Sequence, residues 1–203
     1  MSTMNRKDLL RQRADHLQWL ADVFALMGPF CDLPEGHTQT EGRLGTQWQA
    51  LKTSIENRLE GRTRDLVETQ IATEGTSYFE VQQGGVPLPL YGSWWLEGKL
   101  QGDTTHRVME ILRNEDLGTT VETADYLPTE LEFISLLFQM EAEGHAREDA
   151  DLAQKGQDLR QEVLNDLVVP WVRRFKEKAD SVIGSDYWKH AIGLIEPLLL
   201  DDV

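Results

Sequence analysis

The sequence predicts an all-α protein, and three observations carry that prediction. Apolar residues recur at three- and four-residue spacing along most of the chain, Gly and Pro fall between the periodic stretches, and no stretch alternates apolar and polar with period two. At 203 residues the chain is long enough to bury a self-sufficient apolar core, so one helical domain over 1–203 is expected.

Each element follows from its own pattern. Leu10, Ala14, Leu17, Ala21 and Phe24 form one stripe of a first helix, which Gly28-Pro29 should stop because Pro29 has no donor and restricts its predecessor. Leu44, Trp48, Leu51, Ile55 and Leu59 mark a second helix ending near Gly61, and a third runs from about Arg64 to Tyr78. Between about Glu80 and Leu90, VQQGGVPLPL suits a loop, since a Gly pair and alternating prolines oppose a helix interior. Thr104 can cap a helix carrying Val108, Met109 and Leu112, and Pro128 fits the first turn of one that places Leu131, Ile134 and Phe138 on one face. A long stretch with Leu152, Leu159, Val163 and Leu167 leads to Pro170, Trp171 and Phe175. Tyr187, Ala191, Leu194, Ile195 and Leu198 mark the last helix, where Pro197 is expected to kink or unwind the chain.

The charge balance excludes one class of partner. Lys and Arg number 20 against 35 Asp and Glu, a net charge of −15, which opposes binding to a phosphate backbone. Residues 110–166 hold 4 basic and 15 acidic side chains, −11 of that total; such a stretch is either a solvated face or a field that attracts a cationic partner. No apolar run approaches the ~18 residues of a membrane span. The N-terminal residues turn polar and periodic at once, so a soluble cytoplasmic protein is expected.

A search for catalytic chemistry finds little. The sequence has no phosphate-cradling glycine loop, no dinucleotide fingerprint and no nucleophile elbow. Cys31 is the only cysteine and reads as a small buried hydrophobe. His16, His37, His106, His145 and His190 lack the paired Glu-x-x-His pattern of a di-iron bundle, and read as surface or helix-end residues. No catalytic residue, no metal ligand and no cofactor of its own is expected for this chain.

Two segments are more specific. In PLPLYGSWWLEG, residues 87–98, Tyr91, Trp94 and Trp95 cluster at a loop-to-helix junction, where aromatics offer large, rigid contact area. Adjacent helical residues point about 100° apart, so one tryptophan can be core while the other is available. In ETADYLPTELEF, residues 122–133, Glu122, Asp125, Glu130 and Glu132 surround a helix start, interleaved with Tyr126, Leu127 and Leu131. The helix dipole accounts for some of these acids. A carboxylate also receives an arginine guanidinium in bidentate fashion.

Together these segments resemble the TorD/DmsD/NarJ family of cytoplasmic chaperones for molybdenum redox enzymes. Tyr78-Phe79 sits where that family has an aromatic or Leu-Phe pair ending a helix. PLYGSWWLEG is similar to its proline–aromatic–Gly/Glu–Ser–x–aromatic–Leu pattern, THRVMEILRNEDLG to its next helix, and ADYLPTELEF to its Asp-His/Tyr motif. Val168-Val169-Pro170-Trp171 with Phe175 is similar to its late Pro-Trp-x-x-x-Phe motif, and the likeness is best over 75–200. Tyr126 stands where many members have His, and Leu167 where many have another His; the Asp-Tyr-Leu-Pro form is nearer the nitrate reductase side and the chaperones of related enzymes of the dimethyl sulfoxide reductase family.

The resemblance implies a TorD-like fold of about 8–11 helices and a chaperone with no enzymatic activity. It implies that the partner is the apo catalytic subunit of a molybdoenzyme, often bound through a basic twin-arginine signal peptide and held for cofactor insertion, assembly and export. The molybdenum cofactor would belong to that client. On this reading Glu122, Asp125 and Glu130 receive the basic part of the client segment, and Tyr78, Phe79, Tyr91, Trp94 and Tyr126 contact its apolar part. The chaperone is expected as a monomer or homodimer, without nucleic acid and without membrane insertion. The alternatives are a metal-dependent helical-bundle enzyme, using His106 and nearby acids, and a non-catalytic regulatory module.

Overall fold

The computed structural model describes residues 5–118, 120 and 123–201. Among them are nine α-helices: α1 (Arg6–Phe24), α2 (Gly42–Leu59), α3 (Arg64–Phe79), α4 (Gly92–Glu97), α5 (Asp103–Asn114), α6 (Leu127–Arg147), α7 (Ala150–Val163), α8 (Val169–Val182) and α9 (Asp186–Leu200). No strand longer than an isolated bridge occurs among the described residues, so the all-α expectation holds.

Side chains set several of the helix starts. Asn5 accepts from the N–H of Asp8 at 3.1 Å, Asp149 from Leu152 at 3.0 Å, and Ser185 caps α9, each answering donors that a first turn leaves unpaired. α1 ends at Phe24, four residues before Gly28, with Leu26 already at φ 57°. Thr104 is not the cap expected of it. The chain enters α5 through Gly102, and the Glu97 carboxylate accepts from the N–H groups of Asp103 (3.0 Å) and Thr104 (2.8 Å). Those bonds, that from Thr104 foremost, hold the Glu97 carboxyl down at about 2.

Packing is organised around α6. Its main partners are α1 and α7. Close approach to α7 depends on two glycines: a Cβ on Gly144 would lie 2.4 Å from the backbone N of Ala153, and one on Gly156 2.8 Å from that of Glu141. α7 runs into a π-type turn, Leu164–Val168, where the N–H of Val169 reaches Leu164 before Pro170 enters the first turn of α8. The core is one continuous apolar cluster, with Trp48, Trp171, Trp188, Tyr187, Phe24, Phe138 and Phe175 its largest fully buried members.

Two expectations fail here. α9 continues through Pro197 to Leu200, so the chain does not unwind there even though Pro197 has no N–H to give the turn before it. The buried Arg13 donates to the Pro197 and Leu198 carbonyls at 2.6 and 2.9 Å, and burial lowers that guanidinium to about 10. His16 is fully buried rather than superficial. It bonds the Glu35 carbonyl at 3.0 Å and sits edge-on to Trp48, and burial lowers it to about 4.

Candidate functional site

The two segments singled out in the sequence meet. Leu127 donates to the Leu90 carbonyl at 2.7 Å and Gly92 to the Asp125 carbonyl at 2.9 Å, so Tyr91 and Tyr126 face one another across an isolated antiparallel bridge. Their rings lie 5.1 Å apart at 33°, and both are half-buried. The chain is delivered to this bridge by the proline-rich loop, in which Gln82 and Gly85 exchange two backbone bonds and Leu88 and Leu90 plug the core.

α4 starts directly from the bridge, and its geometry sorts the two tryptophans. Trp95 turns inward, donating to the Pro89 carbonyl at 2.7 Å and meeting Phe175 edge-on at 5.9 Å. Trp94 turns outward and is 44% exposed. Tyr91, Tyr126 and Trp94 therefore surround the start of α4 as an aromatic ledge.

Beneath the ledge lies a buried polar clamp. Asp125, 1% exposed, accepts from the N–H of Ser93 at 2.6 Å and so caps α4. Glu130, 2% exposed, accepts from the Trp171 indole N–H at 3.0 Å through Oε2, while its Oε1 has no partner among the described residues. Gly92 presses on the same indole; a Cβ there would lie 2.9 Å from Nε1 of Trp171. Burial, and then the nearby Asp125 charge, push the Glu130 carboxyl up to about 8, against the smaller pull of the indole bond. At neutral pH Glu130 is therefore mostly a neutral acid.

The expected site residues divide by burial. Asp125 and Glu130 are both buried within the chain: the first hands its carboxylate to α4 and the second sits on the inward stripe of α6. Phe79 is a core residue, 5.0 Å from Trp188 and 5.6 Å from Phe24. Tyr78 is half-buried, and its hydroxyl accepts from the N–H of Gly184 at 3.2 Å. It lines a separate cleft of about 440 Å³ with Arg58, Glu74 and Ser185. Glu122 lies outside the described residues.

One residue escaped the sequence reading. Glu80, the exposed residue that ends α3, is close enough to Tyr126 to help raise its phenol to about 12, after burial and Tyr91. Its only sequence signal is that it follows Tyr78-Phe79 directly. Among the described residues, no three His, Cys, Asp or Glu side chains converge as a metal would require, and no helix is long and apolar enough to cross a membrane.

The nitrate reductase delta subunit family matches residues 39–177, reaching further back than the 75–200 likeness noted above. A crystal structure from Archaeoglobus fulgidus, described as that of a candidate redox enzyme maturation protein, is similar with a TM-score of 0.49 and 17% identity, covering 96% of this chain and 94% of that one. No curated protein matches the chain.

Proposed function

From the premise that the chain belongs to the nitrate reductase delta subunit family, whose members are non-catalytic maturation chaperones of the NarJ/TorD type, we propose that it binds the immature catalytic subunit of a nitrate reductase-type molybdoenzyme in the cytoplasm. The aromatic ledge takes an N-terminal segment of that client in which basic residues precede an apolar stretch, as in a twin-arginine signal peptide. Holding this segment keeps the subunit from assembly or export until its molybdenum cofactor is inserted.

The observation that carries this reading is the exposure of Trp94. A tryptophan buries some 150–250 Å² when covered, and leaving it in water on a six-residue helix is favourable to nothing in the fold. The ledge is nevertheless held rigidly, by two backbone bonds to the 125–127 segment and by the Asp125 cap, so little ordering entropy remains to oppose binding. Glu80 supplies an exposed carboxylate at its edge. The side chains do three things: Trp94, Tyr91 and Tyr126 cover the apolar stretch, Glu80 pairs with a guanidinium, and Asp125 and Glu130 support from below.

The test is calorimetry with a synthetic peptide copying the N-terminal segment of such a catalytic subunit. Trp94→Ala should weaken binding about tenfold or more, as aromatic anchors do, while circular dichroism and the unfolding midpoint stay unchanged. Affinity should also fall with added salt, because an exposed ion pair is screened over about 8–10 Å. Undiminished binding by Trp94→Ala removes the ledge from the site.

A further inference from the structure

Among the described residues, the support beneath the ledge holds two carboxyl groups and no cation. Asp125 and Glu130 are each almost fully buried, and among the described residues their donors are one backbone N–H and one indole N–H. Two more polar atoms are left over in this neighbourhood: Oε1 of Glu130 and the hydroxyl of Ser93, which is itself 0% exposed. On its other side Glu130 faces Val108, Leu112, Phe133, Val163 and Leu167. Among the described residues, no charged side chain of α4, α5, α7, the π-type turn or α8 lines this side of it, and Asp125 is the charged group whose field reaches it. Such a cluster is stable with one negative charge, and a second would stand beside the first in an apolar setting.

We propose that Glu130 is the positioning residue of the ledge and that its proton regulates client binding: protonated, it lets α4 seat on Trp171; deprotonated, it unseats α4 and releases the client. The proposal rests on the reading of the ledge given above, and it names the regulation of that site. α4 is the element that yields. α6 has 21 residues and α8 has 14, both anchored by large buried side chains, whereas α4 has 6, of which Gly92 and Ser93 are fully buried and Trp95 and Leu96 only partly. Lifting α4 admits water to both carboxylates, opens the Gly92–Trp171 contact and carries Trp94 away from Tyr91 and Tyr126. The Glu130 carboxyl, raised by burial and by Asp125 to about 8, puts the change just above neutrality.

The experiment compares the same synthetic client peptide at pH 7 and pH 9 on the full chain and two variants. Wild type should lose roughly tenfold in affinity between these pH values, the scale of one coupled proton beyond its midpoint. Glu130→Gln, a permanently neutral isostere, should stay within about twofold. Trp94→Ala separates the two claims: if it binds as tightly as wild type at pH 7, the ledge reading fails. If it binds weakly but wild type is flat with pH, or Glu130→Gln falls in parallel with wild type, the regulation fails and the ledge stands. A titration of the Glu130 carboxyl carbon in the unmodified protein, with hydrogen exchange of residues 92–97 across the same range, needs no variant. A midpoint in the ordinary range of glutamic acid, or exchange of 92–97 that does not accelerate, overturns the proposal.

Discussion

α6 buries a glutamate near each end, and the two are handled in opposite ways. Glu141, 0% exposed, receives Arg6 at 2.9 Å and Arg160 at 2.7 Å, and the Arg160 guanidinium lies 4.2 Å over the Phe138 ring. Glu130, 2% exposed, receives one indole N–H. Burial is the same and compensation is not. Glu141 is a structural ion pair that joins α1, α6 and α7, whereas Glu130 avoids the penalty by keeping its proton. One end of the helix is locked by charge, and the other is left responsive to pH.

The largest effect should come from the locked end. Glu141→Ala leaves Arg160, whose side chain is 15% exposed, without its counter-charge; breaking a buried pair in this way typically removes about 3–5 kcal/mol. Arg6 is half-exposed and can turn to water, so most of that loss belongs to Arg160. Urea unfolding at pH 7 measures it. Glu130→Gln under the same conditions should change stability by no more than about 1 kcal/mol, since it replaces one neutral hydrogen-bonding group by another. Equal losses in the two variants would erase the distinction.

A pH series sharpens it. Glu130 holds its proton in the folded state up to about 8, against an ordinary value of 4.5. Its contribution is complete below 4.5 and drains as pH rises to about 8. His16 has the opposite sign: folded at about 4 against 6.5, it contributes fully above 6.5 and loses that contribution as pH falls towards 4. Of these two groups, only Glu130 changes between pH 6.5 and 8. Wild-type stability should therefore fall there by up to about 1.4 kcal/mol per pH unit, and Glu130→Gln should flatten the slope.

A smaller loss is expected at the clamp itself. Asp125→Ala removes the acceptor from the buried N–H of Ser93, an effect of about 1–2 kcal/mol on the scale of a lost helix cap. Asp125→Asn keeps a side-chain oxygen for that N–H and should recover most of it. The client peptide should follow the same order, bound most weakly by the alanine variant, because Asp125 acts through α4 and not by contact.

How much of this could be read from sequence depends on the residue. The Trp94-Trp95 pair was legible as a place where one ring could be core and the other available, since adjacent residues point about 100° apart, but not which ring is which. The clamp was not, although its signal was present. Glu130 stands three residues after Leu127 and four before Ile134, and Glu141 four after Leu137, so both lie on the apolar stripe of α6. Counting acids by composition set that placement aside. Glu132, two residues on from Glu130, faces solvent. Asp125 and Ser93 are 32 residues apart, and no local pattern reports such a bond. Phe79 looked like a recognition aromatic because it ends a helix, but the aromatic partners that bury it come from α1 and α9.

The smallest effect should come from an acid of the third kind. Asp166, in the turn after α7, pairs with Arg107 at 2.8 Å, and both side chains are 50% exposed. Water already solvates such a pair and salt screens it, so Asp166→Asn should move stability by less than about 0.5 kcal/mol, read in the same urea series. This variant tests the acidic stretch as a whole. Residues 110–166 hold 15 acids, yet Asp125, Glu130 and Glu141 among them are buried, one capping a helix, one neutral and one paired with arginines. The other described acids of the stretch are exposed or half-buried. A loss for Asp166→Asn comparable to that for Asp125→Ala would mean that exposure does not decide what an acid does in this fold, and the contrast between the two ends of α6 would lose its physical basis.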